Sequence, residues 1–116
     1  MENVIEKKSF EFAVKIVKMS AKLKRSRLHY ELAGQVLRSG TSIGANVAEA
    51  QYAQSKKDFV SKLKIGLKEA SETEYWLKLL EASEIMMTPE ETEPLIGDVK
   101  ELQRILTAIV NTTNAT

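Results

Sequence analysis

Residues 88–110 read TPEETEPLIGDVKELQRILTAIV, and this stretch decides the fold class. Thr88, Pro89 and Glu91 form a helix start. The side chains of a threonine cap and of a glutamate at the third position can accept hydrogen bonds from backbone amides that have no partner in the first turn, and a proline at the first position has no amide hydrogen to satisfy. Apolar residues follow at spacings of 4, 3, 4 and 3, namely Leu95, Val99, Leu102, Leu106 and Ile109. The stretch therefore predicts an amphipathic helix whose apolar seam packs on other helices.

Three more amphipathic segments precede it. The third begins at Ser55, whose hydroxyl and the carboxylate of Asp58 have capping-box spacing. The predicted helices span residues 4–24, 31–53, 55–86 and 89–111. Because no segment alternates like a strand and the connections are short, we predict an all-α, antiparallel up-down four-helix bundle as a single domain over residues 1–116.

Apolar residues cover more than half of the circumference of the first predicted helix. They form two adjoining stripes: Phe10, Val14, Val17 and Ala21 in one, and Phe12, Ile16, Met19 and Leu23 in the other. An arc this wide predicts contacts with more than one neighbour, and self-association would supplement the modest core of a 116-residue chain.

The second predicted helix is rich in small residues, with Gly34, Gly40 and Gly44 among them. Interior glycine disfavours a helix by about 1 kcal/mol relative to alanine, yet the apolar period continues through the segment. We therefore expect a helix whose small residues allow another backbone to approach closely.

This region also carries a family resemblance. Residues 38–50, RSGTSIGANVAEA, resemble the pattern R-x-x-x-S-I-x-x-N-I-A-E-G of the bacterial four-helix-bundle proteins known as 23S rRNA intervening-sequence proteins. Further matches are SKKDF at 55–59 and ETEYWL at 72–77, so the resemblance covers nearly the whole chain. Ala50 stands where the family pattern has glycine, so the resemblance does not support a tight turn or a glycine-dependent contact at that position.

The resemblance implies a four-helix bundle that assembles into a ring-like homo-oligomer, with a pentamer favoured. Some members are encoded within intervening sequences of 23S rRNA genes, and a distant relative is an accessory protein of diversity-generating retroelements. It therefore also implies a possible association with RNA or with a nucleic-acid-associated protein.

Composition narrows the functional classes. The chain has 43% apolar residues, no cysteine, and no stretch typical of a signal peptide or a membrane span, so we expect a cytoplasmic protein without disulfides or thiolate metal sites. The net charge of +1 hides an asymmetry: residues 1–64 hold 13 Lys/Arg against 6 acids, and the remainder holds 4 against 10. Such polarity predicts either a basic binding surface or complementary charges between packed helices.

Four polar residues in the family motif share one helical stripe: Arg38, Ser42, Asn46 and Glu49. One hypothesis is a recognition strip for RNA, a peptide or a neighbouring subunit. The alternative, which we favour, is a set of hydrogen bonds and ion pairs between packed helices, because buried polar groups are normally satisfied.

Cations of the basic half are candidate phosphate contacts, since counterion release drives much of nucleic-acid affinity. The candidates are Lys8, Lys15, Lys18, Lys22, Lys24, Arg25, Arg27, Lys56 and Lys57. A solvated lysine-rich face is the commoner explanation, and no aromatic residue interleaves with these side chains as a base-stacking platform requires.

Tyr75 and Trp76 are candidate interface aromatics, although packing in the core or between subunits is the commoner role of such residues. Glu69, Glu72 and Glu74 raise the possibility of a di-iron site, but that chemistry needs Glu-x-x-His motifs, and the single histidine, His29, falls in a predicted connection at residues 24–30. We therefore expect no metal and no cofactor.

Catalysis is not expected either. The chain has no cysteine nucleophile and no histidine beside an obvious partner, and the glycines at 40 and 44 lack the lysine of a phosphate loop. The sequence thus predicts a non-enzymatic, self-assembling scaffold without a membrane or small-molecule partner. The alternative is an RNA-binding accessory protein that uses the basic N-terminal half.

Overall fold

A computed structural model describes residues 3–23, 27–84 and 87–116. These residues form four helices and no strand. The helices are α1 (Val4–Leu23), α2 (Arg27–Ala50), α3 (Lys56–Ser83) and α4 (Pro89–Asn114). Within the described part of the chain, no helix combines the length and apolarity needed to cross a bilayer.

Consecutive helices run antiparallel. The backbone of Ser9 lies beside Gly44 while Ile16 lies beside Gly40, so the residue numbers rise along α1 as they fall along α2. Ser39 meets Thr73 across α2 and α3, and Glu74 meets Gln103 across α3 and α4. Helix α1 also contacts α4, less extensively than it contacts α2.

The core lies between these helices. It contains one inward-facing stripe from each helix, with Ile16, Ile43, Leu77 and Leu106 fully buried. On α4 the buried series is Thr92, Leu95, Val99, Leu102, Leu106 and Val110. Ile109, the predicted last residue of the seam, is partly buried against the core, and Val110 is the buried residue there, because a helix of 3.6 residues per turn drifts away from a strict seven-residue repeat.

Helix α2 begins and ends earlier than predicted. Residues 27–30 are helical although they were assigned to a connection, because half-buried His29 extends the stripe of Ala33 and Val36 by one turn. After Ala50 the amides of residues 51–53 bond three residues back, which tightens the chain out of the helix. Glu84 is the single residue with positive φ among those described, so the turn after Ala50 requires no glycine.

The other helix ends follow their caps. Ser55 Oγ accepts the amide of Asp58 at 3.0 Å, so α3 starts one residue after the predicted boundary, and it ends where Glu84 is left-handed. Ile85, in the predicted end of this helix, lies outside the described residues. Helix α4 has the expected capping box of Thr88 and Glu91 and continues through Pro94.

Candidate interaction surfaces

The two apolar stripes of α1 have different environments. The inner stripe of Phe12, Ile16, Met19 and Leu23 is buried in the core. The outer stripe of Phe10, Val14, Val17 and Ala21 is exposed, with Phe10 at 69%, Val14 at 38% and Val17 at 50% of their full accessible surface. The protomer therefore uses one half of the wide apolar arc and leaves the other half uncovered.

An apolar groove lies beside the outer stripe, where α1 and α2 meet. Phe10, Ala13, Thr41, Ala45 and Ala48 line this α1–α2 groove, and Gly44 forms part of it. Charged residues at its rim are Glu6, Lys7 and Glu11. Small side chains on the α2 wall leave space for a side chain or a helix from outside the protomer.

The small residues of α2 also bring α1 close. A β-carbon at Gly40 would stand 2.9 Å from Ile16 Cγ2, and one at Gly44 would stand 3.2 Å from the carbonyl oxygen of Ser9. Neither position has room for alanine without movement of its neighbour. The close approach expected for this helix therefore occurs within the protomer, against α1.

The family-motif polar stripe lies along the border of α2 and α3. The side chain of Asn46 donates to the carbonyl of Ser42 at 2.8 Å, and the Ser42 hydroxyl donates to the carbonyl of Arg38 at 2.5 Å. Glu49 stands 3.8 Å from the ammonium of Lys62. Each of these side chains thus has a partner inside the protomer.

Arg38 is the centre of an ionic cluster on this border. Its Nη1 donates to Glu69 at 3.2 Å and its Nη2 contacts Glu72, whose Oε2 also accepts the indole N–H of Trp76 at 3.0 Å. The hydrogen bond from Trp76, with those from Arg38, holds the pKa of Glu72 below its ordinary value. The same carboxylate raises the pKa of Arg38. The cluster joins α2 to α3 while half of the Arg38 side chain remains accessible.

A fully buried hydroxyl pair lies beside this cluster, formed by the residues that follow Arg38 and Glu72. Thr73 Oγ1 stands 2.9 Å from Ser39 Oγ and 2.8 Å from the carbonyl of Glu69. The sequence did not single out this pair, because Ser and Thr are ordinary residues in any exposed helix face. Their positions opposite each other become apparent only when the register of α2 and α3 is known.

Two N-terminal lysines are engaged with α4. Lys8 pairs with Glu101 at 3.1 Å and Lys15 with Asp98 at 2.8 Å, and the hydrogen bond to Asp98 raises the pKa of Lys15. The structure thus pairs basic residues of the first half with acids of the second. The other described lysine candidates, Lys18, Lys22, Lys56 and Lys57, are exposed. Lys24, Arg25 and the side chain of Arg27 lie outside the described residues.

The two candidate aromatics differ in exposure. Tyr75 is 60% exposed, whereas Trp76 is half-buried against the core. Their rings meet edge to face, with centroids 5.3 Å apart and planes inclined by 70°. Because Trp76 is held by Glu72 and by the core, it supports the exposed ring of Tyr75 from below.

The structure does not gather the three glutamates into one site. Glu69 and Glu72 face Arg38, whereas Glu74 accepts hydrogen bonds from Lys78 and Gln103, which lower its pKa. Across residues 3–23, 27–84 and 87–116, no group of three or more His, Asp or Glu side chains is arranged to hold a metal ion. His29 lies in α2 rather than in a connection.

Comparisons with known proteins agree with one another. The family model described as 23S rRNA-intervening sequence protein matches residues 1–108. A crystal structure at 1.70 Å of a protein of unknown function, from the S23 ribosomal protein family of Bacteroides thetaiotaomicron, is 46% identical in sequence. The match covers 91% of this chain and 97% of that one, with a TM-score of 0.86. No functionally curated protein matches the chain.

Proposed function

The chain belongs to the 23S rRNA-intervening sequence protein family, and we propose that it is a non-enzymatic, self-assembling helical scaffold of the bacterial cytoplasm. The observation that carries this proposal is the exposed outer stripe of α1. Phe10, Val14 and Val17 are large apolar residues on one contiguous face, and soluble monomers rarely leave such faces uncovered.

A second copy of the chain is the proposed partner of this face. The α1–α2 groove beside it offers the small residues Ala13, Ala45 and Ala48, which allow close packing. Its rim carries Glu6, Lys7 and Glu11, so charges of both signs border the apolar surface and can pair across a contact between two copies. Val14, Val17 and Ala21 of one copy would pack against the groove of the next copy, which that copy's Phe10 lines.

The proposed assembly is a ring. A contact between two different patches is heterologous, and repetition of such a contact closes into a ring when the rotation permits. Five copies are favoured by the family resemblance. In this arrangement the ring presents a composite surface to a further partner, while each protomer retains its own core.

RNA binding through the basic N-terminal half has less support. Lys8 and Lys15 already pair with acids of α4, and the exposed Lys18 and Lys22 have no exposed aromatic between them. Electrostatic attraction of polyanions does not require such an aromatic, but the pairing of Lys8 and Lys15 leaves fewer lysines of this half available for it. The scaffold is therefore the leading proposal.

Light scattering tests the proposal. The wild-type chain should have a mass near five times that of the 13.0 kDa protomer. Val14→Asp combined with Val17→Asp should yield monomers with unchanged helical circular dichroism, because both side chains are exposed and a buried carboxylate pair would be costly at the interface.

Ile65→Asp is the matched control, since Ile65 is a 43% exposed apolar residue of α3, whose described residues pack on α2 and α4 rather than on α1. This variant should retain the wild-type mass. A monomeric wild-type protein, or an assembly that survives both α1 substitutions, would overturn the proposal.

A further inference from the structure

The outward side of α3 carries a row of cations that ends at an exposed aromatic. The α3 outer face is defined by residues at helical spacings, all of them exposed: Lys57, Ser61, Lys64, Lys68, Ser71 and Tyr75. Lys57, Lys64 and Lys68 also line a shallow depression with Ser61. At 1.5 Å per residue the face is about 27 Å long.

Cations continue from this face onto α4. Lys100 and Arg104 are exposed on the wall of a groove between α3 and α4, which Gln103 and Glu74 also line. Lys78 lies at the border and pairs with Glu74 at 2.6 Å. Residues 65–116 contain four basic residues, of which Lys100 and Arg104 line this groove, Lys78 pairs with a residue of its wall, and Lys68 belongs to the α3 outer face.

The acids of this part of α3 have partners. Asp58 belongs to the N-terminal cap, where its carboxylate accepts the amide of Gln54. Glu69 and Glu72 bind Arg38 on the side facing α2, and Glu74 binds Lys78 and Gln103 on the side facing α4. Arg38 offsets one of the two charges of Glu69 and Glu72, and Lys68 also acts on Glu72, so Lys57, Lys64 and Lys68 together still leave a net positive charge along the outer face.

Tyr75 gives this basic face a second property. Its ring is 60% exposed and rests edge to face on Trp76, which the carboxylate of Glu72 holds through the indole N–H. An exposed, supported aromatic ring beside cations can stack on an unpaired base while the lysines contact phosphates. A duplex would offer the phosphates but would keep its bases stacked inside.

We infer that the α3 outer face binds single-stranded nucleic acid, with Lys57, Lys64 and Lys68 contacting phosphates and Tyr75 stacking on a base. The inference is independent of self-assembly, because it uses neither the outer stripe of α1 nor the α1–α2 groove. RNA and DNA strands share the chemistry that this face recognises, and the experiment distinguishes them.

Fluorescence anisotropy with labelled 20-nucleotide oligouridylate and oligothymidylate provides the test, with a duplex of the same length for comparison. Wild-type protein should bind a single strand more tightly than the duplex, and the association constant should fall steeply with added salt. The strand bound more tightly identifies RNA or DNA as the ligand.

Substitution of Lys57, Lys64 and Lys68 by glutamine should lower the association constant about ten-fold or more and flatten its salt dependence. The matched control replaces Lys15, Lys18 and Lys22 of α1 by glutamine, which removes the same charge from exposed positions outside the α1–α2 groove, and should retain binding within about two-fold. Circular dichroism and light scattering on each variant confirm that fold and mass are unchanged.

Tyr75→Ala should weaken binding about five-fold or more without altering the salt dependence, and Tyr75→Phe should retain the affinity of the wild type. Equal losses in the two lysine variants would overturn the assignment of this face. Equal affinity for the duplex, full binding by Tyr75→Ala, or no binding to either single strand would overturn the inference as well.

Discussion

Gly40 of α2 lies so close to Ile16 of α1 that a β-carbon at position 40 would stand 2.9 Å from Cγ2 of the isoleucine. Ile16 is fully buried, so it cannot turn away into solvent. This contact determines how near the two helix axes can come. Gly34 of the same helix differs from Gly40, because a β-carbon at position 34 would have no atom within 4 Å.

Gly40→Ala should therefore destabilise the protein while Gly34→Ala stabilises it. Overpacking costs about 1–3 kcal/mol, and the gain in helix propensity of about 1 kcal/mol offsets only part of this. Gly34→Ala has only the gain in helix propensity, because the added β-carbon meets no neighbouring atom. Urea unfolding should place the two variants on opposite sides of the wild type, and equal stabilisation by both would show that α1 moves aside at no cost.

The buried hydroxyl pair makes an asymmetric prediction. Thr73→Val should cost about 1–2 kcal/mol, because it removes the buried hydroxyl that donates to Ser39 Oγ and leaves Ser39 with the carbonyl of Val36, at 3.5 Å, as its remaining partner. Ser39→Ala should cost less, since Thr73 retains the carbonyl of Glu69. A double variant should be no less stable than Thr73→Val, and strictly additive losses in thermal unfolding would refute this coupling.

Acid should weaken the cluster at Arg38. Because the pKa of Glu72 is lowered in the folded chain, its stabilisation is complete above the ordinary value of 4.5 and disappears as the pH falls through the lower folded value. Glu72→Gln should thus be less stable than wild type at neutral pH, and the gap should close in acid. Glu93→Gln at an exposed position of α4 is the control for the loss of one carboxylate charge. A gap at Glu72 that stays constant to pH 2 would argue against the cluster.

Glu84 ends α3 with φ of 55°, in the left-handed region that a β-carbon disfavours. Glu84→Gly should raise the free energy of unfolding by about 1 kcal/mol, because glycine adopts this conformation without steric cost. Glu84→Ala keeps the β-carbon and serves as the control. If calorimetry gave the two variants the same melting temperature, the left-handed cap would not be a source of strain in solution.

The helices could be predicted because their signals are local. Thr88, Pro89 and Glu91 identify a helix start within four residues, and the inner stripe of α1 follows from spacing alone. Periodicity did not distinguish the stripe of Phe10 and Val14 from the stripe of Phe12 and Ile16, since both repeat at helical spacing and only the neighbouring helices determine which is covered.

Surface chemistry was less accessible from the sequence. Charge counted by halves directed attention to the N-terminal lysines, two of which pair with α4. The approach of Lys78, Lys100 and Arg104 to Glu74 depends on how α3 and α4 pack. Tyr75 and Trp76 are neighbours in sequence, yet the turn of the helix exposes one ring and half-buries the other.

The sequential pairing of the helices also bears on synthesis of the chain. Each helix packs chiefly on the next one to leave the ribosome, so α1 and α2 can dock as a nascent hairpin long before translation ends. Closure against α4 has to wait, because Lys8 finds Glu101 only after 93 further residues have been added. Until then the nascent hairpin exposes the outer stripe of α1 and the part of the inner stripe that α2 does not cover, which is the interval in which a chaperone or another nascent copy can reach them.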